Sequence, residues 1–112
     1  MSHNANLRGL RARWCLSQEE LADLLGITQA CISRYEKNEE TPALSTALAL
    51  QVVFDEQPRR LFHRLYALVE ETVMQRAAEL ERSIDGQHDY RSTRRRHLLD
   101  AMMARVTNHE AV

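Results

Sequence analysis

Residues Ser17–Lys37, SQEELADLLGITQACISRYEK, read as two short helices joined by a tight turn. Ser17 followed three residues later by Glu20 is a capping box. The hydroxyl accepts the Glu20 backbone N–H and the carboxylate accepts that of Ser17, which fixes the start of the first helix. Leu21, Ala22, Leu24 and Leu25 form an apolar stripe at helical spacing, and Gly26 supplies a left-handed residue where the chain leaves the helix. Ile27 plugs the corner. Thr28 caps a second helix, Gln29 to Lys37, which turns Ile32 and Tyr35 inward and leaves Gln29, Ala30, Ser33 and Arg34 on its free face. A small, amide-bearing face of this kind suits a groove.

Outward from this pair, Asn6 to Trp14 reads as a helix with Leu7, Leu10 and Trp14 on its inner face. Asn38 follows Lys37 at a left-handed closing position that asparagine tolerates. Thr41 is the expected cap, and Pro42 the expected start, of a helix from Ala43 to about Phe54, with Leu44, Ala47, Leu48 and Leu50 available for the core. After a break at Pro58, the run from Arg59 to about Ile84 contains no Pro or Gly. Phe62, Tyr66, Val69, Val73, Ala77, Leu80 and Ile84 recur there at steps of three and four, widened by Leu61, Leu65 and Leu68. That pattern predicts one helix of about 40 Å with a seam to bury. Gly86 ends it. From about Ser92, with Asp89 as another candidate cap, a last helix carries Leu98, Leu99, Met102, Met103 and Val106, folding back as a hairpin before a frayed end at Asn108–Val112. The expected division is residues 1–57 and 58–112.

The run from Leu7 to Leu50 resembles the phage-repressor-like (XRE, Cro-type) family of helix-turn-helix regulators. Leu10-Arg11, Ser17–Ala22, Leu25–Ile27, Ile32–Glu36 and Pro42 carry the resemblance, in that order. Several motifs in register are more specific than a lone turn pattern. The resemblance implies an all-α protein: a five-helix lambda-repressor-like DNA-binding domain whose long fifth helix continues into a C-terminal helical hairpin. It implies double-stranded DNA as partner, with Gln29, Ala30, Ser33 and Arg34 at base-reading positions. Glutamine can pair with N6 and N7 of adenine, arginine with O6 and N7 of guanine, and alanine can lie against a thymine methyl. Gln18 and Thr28, with Lys37 as a weaker candidate, are implied phosphate contacts at helix starts and ends. Arg11 and Glu36 are implied as a partly buried ion pair tying the first helix to the end of the recognition helix.

Charge works against tight DNA binding by one copy. The whole chain carries 15 basic and 16 acidic residues, a formal −1. Before Pro58, Arg8, Arg11, Arg13, Arg34 and Lys37 oppose eight acids, a balance of −3; after it, ten arginines oppose eight acids, a balance of +2. Glu39 and Glu40 lie where the family often has small or basic residues, and their carboxylates repel a DNA backbone. Two weak half-sites joined in one particle bind far more tightly than either alone. A homodimer is therefore expected, through Phe62, Leu65, Tyr66, Val69, Val73, Leu80, Leu98 and Met102. Arg91 and Arg94–Arg96 form a basic cluster that suits solvent, the acids Glu79, Glu81 and Asp85, or flanking DNA.

Together these residues predict a sequence-specific DNA-binding transcriptional regulator acting as a homodimer on a near-palindromic operator. The alternative is a protein-interaction module, such as the antitoxin of a toxin–antitoxin pair, favoured by the acidic first half. No catalytic set or Gly-rich phosphate loop is present, so an enzyme is not expected. Cys15, Cys31 and the scattered His3, His63, His88, His97 and His109 lack metal-ligand spacing, and neither metal, cofactor nor small-molecule effector is expected. No run approaches the ~18 apolar residues that span a bilayer, and the N-terminus lacks a secretory pattern, so a cytoplasmic location is expected.

Overall fold

The computed structural model describes residues 6–110, and side chains as far as residue 108. Among the described residues every regular element is helical: α1 (Leu7–Arg13), α2 (Gln18–Leu25), α3 (Gln29–Glu36), α4 (Leu44–Phe54), α5 (Pro58–Leu61), α6 (His63–Ser83) and α7 (Tyr90–Glu110). The chain forms two compact units, and the division between Tyr66 and Ala67 falls inside α6. No helix among the described residues is long and apolar enough to cross a membrane.

Local chemistry sets the ends of α2 and α3 as the sequence predicts. Ser17 Oγ accepts the Glu20 N–H at 3.0 Å, and Glu20 Oε1 accepts the Ser17 N–H at 2.9 Å. Gly26 leaves α2 at φ 70°, Thr28 Oγ1 accepts the Cys31 N–H at 3.3 Å, and Asn38 closes α3 at φ 60°. The core of the first unit is Leu7 and Leu10 of α1, Leu21 and Ala22 of α2, Ile32 and Tyr35 of α3, Leu50 of α4 and Leu61 of α5. Leu21, Ile32 and Leu50 have no solvent-accessible surface, and burying each contributes about 1.5–3 kcal/mol.

The structure moves several side chains from their expected places. Trp14 is the C-cap of α1 and 63% exposed, because α1 ends at Arg13 and Cys15, at φ 57°, turns the chain away. Leu24 also faces solvent. Of the four α4 residues expected in the core only Leu50 is buried; Leu44 and Leu48 are exposed and Ala47 is half-buried. Val53 and Phe54 pack against the core instead. Thr41 does not cap α4. Ala43 is the N-cap, in extended conformation (ψ 157°) and without a side-chain bond, which leaves Thr41 two residues too early to serve the first helical N–H groups.

The helix expected from Arg59 to Ile84 is two helices. Phe62, at φ −119° and ψ 50°, ends α5, while its carbonyl accepts the Tyr66 N–H at 2.9 Å and so begins α6. Successive side chains of a continuous helix diverge by about 100°. The break lets Leu61 enter the core and Phe62 pack beside it.

In the second unit, Gly86 (φ 81°) turns the chain after α6. α7 starts at Tyr90 rather than Ser92, because Asp89 supplies the cap: its Oδ2 accepts the Ser92 N–H at 3.4 Å and its Oδ1 the Ser92 hydroxyl at 2.6 Å. Ser92 also donates to Gln87 Oε1 at 3.0 Å and is buried, as are Ile84 and Leu99. Arg96 is a latch for this turn, donating to the Ile84 carbonyl at 2.8 Å and to that of Gln87. α7 continues to Glu110, so Asn108 to Glu110 are helical where the sequence predicts fraying; residues 111 and 112 lie outside the described residues.

Candidate nucleic-acid interface

Arg11 is the centre of the polar construction in the first unit. Its Nε and Nη2 donate to Glu36 Oε2 and Oε1 at 2.6 and 3.1 Å, a two-pronged bond, and its Nη1 donates to the Leu16 carbonyl at 2.8 Å. One guanidinium thereby fastens α1, the α1–α2 turn and the last residue of α3. The side chains are 14% and 4% exposed. Gln18, at the first position of α2, donates to the same Glu36 Oε1 at 3.0 Å, and its own carbonyl oxygen accepts from Gln29 Nε2 at 3.3 Å. A continuous chain of bonds thus runs Arg11–Glu36–Gln18–Gln29, from a buried ion pair to an amide on the open face of α3.

Burial by itself would raise the Glu36 carboxyl. The bonds from Arg11 and Gln18, with the charges of Arg11 and Arg8, outweigh it and hold Glu36 below the usual carboxylate value of 4.5. The depressed folded-state value means that the stabilisation is present above the unfolded-state value and is lost as pH falls through the folded one. Below about pH 4.5 the wild-type thermal midpoint should therefore fall more steeply than that of Glu36→Gln, as acid titration by circular dichroism would register.

The four residues of the free face of α3 occupy different settings. Gln29 and Ala30 are exposed at its N-terminal end, and Ser33 is half-buried one turn on. Arg34 is exposed but not idle: its Nε donates to Glu40 Oε2 at 2.6 Å and its Nη2 to Cys31 Sγ at 3.4 Å. Thr28 Oγ1, besides capping α3, donates to Cys31 Sγ at 3.3 Å. The side chain of Gln18 is committed inward, which leaves the start of α2 with its backbone N–H groups for an anion. Lys37, the C-cap of α3, is exposed.

Arg8, Arg11, Gln18, Ser33, Glu36 and Lys37 line one recess of about 260 Å³. It joins Gln18, Lys37 and Ser33, named from the sequence, to Arg8, which sequence reasoning misses. Arg8 and Arg11 lie three apart on α1, a helical spacing that could have marked Arg8 as a neighbour of the ion pair. Only the packing of α1 beside α3 shows that this face meets Lys37. Among the described residues no group of His, Cys, Asp or Glu is placed to hold a metal ion; His3 and the His109 side chain lie outside them.

The profile of the helix-turn-helix family matches residues 16–61, which span α2 to α5 and the turn that presents α3. This segment is a helix-turn-helix domain. The chain is similar to relatives provisionally named HTH-type transcriptional regulatory proteins: 40% identical over 50 residues in Pyrococcus furiosus, 46% over 50 in Pyrococcus horikoshii and 40% over 50 in Thermococcus kodakarensis. Each alignment covers 45% of this chain and 16% of the relative, so the chain shares with them one helix-turn-helix segment of much longer proteins. No solved structure matches the chain significantly. The helix-turn-helix domain is followed by α6 and α7, beyond the matched residues.

Proposed function

We propose that the chain is a DNA-binding transcriptional regulator, not an enzyme, and that it acts as a homodimer on a near-palindromic operator of double-stranded DNA. The observation that carries this is the open N-terminal face of α3 in a helix-turn-helix domain: Gln29 and Ala30 are exposed, and Gln29 is braced by Gln18. On this reading Gln29, Ala30, Ser33 and Arg34 face base edges. Backbone phosphates lie against the α2 start at Gln18, against Thr28, and over the recess between Arg8 and Lys37. The test is selection of duplexes from a random-sequence library with the purified chain. Recovery of paired half-sites centred about 34 Å apart is the expected result, and recovery of no enriched sequence defeats the proposal.

Dimerisation is supported by α6, which has 21 residues and buries none of them. Leu65, Tyr66, Val69, Val73 and Leu80 are all at least 38% exposed, Leu98 of α7 is 57% exposed, and Met102 is half-buried. Phe62 is partly occupied against the first core. An amphipathic helix gains most of its stability from burying its apolar face, which a second copy would supply. Sedimentation at micromolar concentration should give a dimer, and Val73→Glu should give a monomer with the helix-turn-helix domain still folded. A monomeric wild type would remove the dimer.

A second reading, a protein-interaction module such as an antitoxin, draws on Leu44, Leu48 and Val52. They form an exposed stripe at every fourth residue on the uncharged α4. Failure of the library selection, together with a stable complex formed with the product of a neighbouring gene, would favour it.

A further inference from the structure

We propose that Glu40 determines specificity: its carboxylate holds the Arg34 guanidinium away from DNA phosphates and yields it to a guanine that offers two acceptors in its place. The proposal rests on the reading of Arg34 as a DNA contact. Arg34 lies in the last turn of α3 and Glu40 in the loop beyond it. The left-handed Asn38 folds that loop back, the Glu39 N–H donates to the Arg34 carbonyl at 2.9 Å, and Glu40 is brought to 2.6 Å from Arg34 Nε. The pair is a consequence of the turn, not of helical spacing.

Two features make the pair a filter rather than a permanent lock. The side chains of Arg34 and Glu40 are 46% and 42% exposed, so water and DNA reach both, and an ion pair this open biases an equilibrium by a factor of a few. Glu40 also engages the guanidinium through Nε alone, while Nη2 is turned to Cys31 Sγ. A phosphate oxygen would exchange one anion for another, with little gain. Guanine O6 and N7 accept two N–H groups in one plane, which the single bond to Glu40 does not match. An arginine without this restraint would bind any duplex through its phosphates, an interaction blind to sequence. Glu39, one residue earlier and exposed, has the same charge without a bond to Arg34 and is the natural control.

The test measures binding of the full chain to the tightest duplex from the library selection and to a scrambled duplex of equal length, across a salt series. Glu40→Gln should bind the scrambled duplex about three- to fivefold more tightly and the selected duplex about twofold more tightly at most. Its salt slope on the scrambled duplex should steepen by about 0.9 for each further phosphate neutralised. Glu39→Gln should give a smaller and equal gain on both duplexes, and in an Arg34→Ala background Glu40→Gln should behave like Glu39→Gln. Equal behaviour of the two glutamate variants overturns the proposal. So does a gain that persists without Arg34, or a loss on both duplexes with a lowered thermal midpoint, which would make the pair a brace for the loop. If the wild type enriches no duplex and binds neither, the DNA-binding reading falls and this proposal with it. If it binds the selected duplex selectively and the variants keep that selectivity, the role of Glu40 alone is removed.

Discussion

Glu36→Ala should destabilise the first unit by about 3 kcal/mol, the lower end of the range for breaking a buried ion pair. Glu36 accepts bonds from Arg11 Nε, Arg11 Nη2 and Gln18 Nε2, and its side chain is only 4% exposed. Its removal strands a guanidinium that keeps a single protein bond, to the Leu16 carbonyl. The 14% exposure of Arg11 allows some rehydration, which places the loss at the lower end. In a unit of this size the change corresponds to a thermal midpoint lowered by roughly 10–20 °C. Glu36→Gln should fall between, since an amide accepts a bond but supplies no charge. Urea unfolding of the three proteins reads all of this, and a loss under about 1 kcal/mol for the alanine variant would reduce the pair to an ordinary surface ion pair.

Gln29→Ala should lower affinity for the selected duplex by about 1–3 kcal/mol, roughly five- to 150-fold, with binding to a scrambled duplex almost unchanged. The size follows from preorganisation. Gln18 receives an N–H from Gln29 while giving one of its own to Glu36, so the Gln29 amide is oriented before DNA arrives. Gln18→Ala should reproduce part of the loss by freeing that amide to rotate. Equal losses on both duplexes would mean that Gln29 touches the backbone and not a base.

The parts of this molecule that are legible in its sequence share one physical property: their causes lie within three or four residues. The Ser17–Glu20 box, the Thr28 cap and the left-handed Gly26 and Asn38 are satisfied by their own neighbourhoods, so α2, the turn and α3 follow from residue types in order. The Arg11–Glu36 bond spans 25 residues and follows from resemblance, not from spacing. Tertiary structure decided what local chemistry leaves degenerate. α4 is uncharged throughout, so its pattern cannot say that Leu50 is buried while Leu44 and Leu48 face out. The run after Pro58 has no residue that forbids a continuous helix, yet Leu61 and Phe62 both pack on the first core, which splits it. Nor can periodicity place Arg8 beside Lys37 or Glu40 on Arg34, because those pairs are made by helix packing and by a loop folded back through a left-handed residue. The helix-turn-helix was written in the sequence residue by residue; which charges surround its free face was settled only when the helices packed, since charge acts across space and not along the chain.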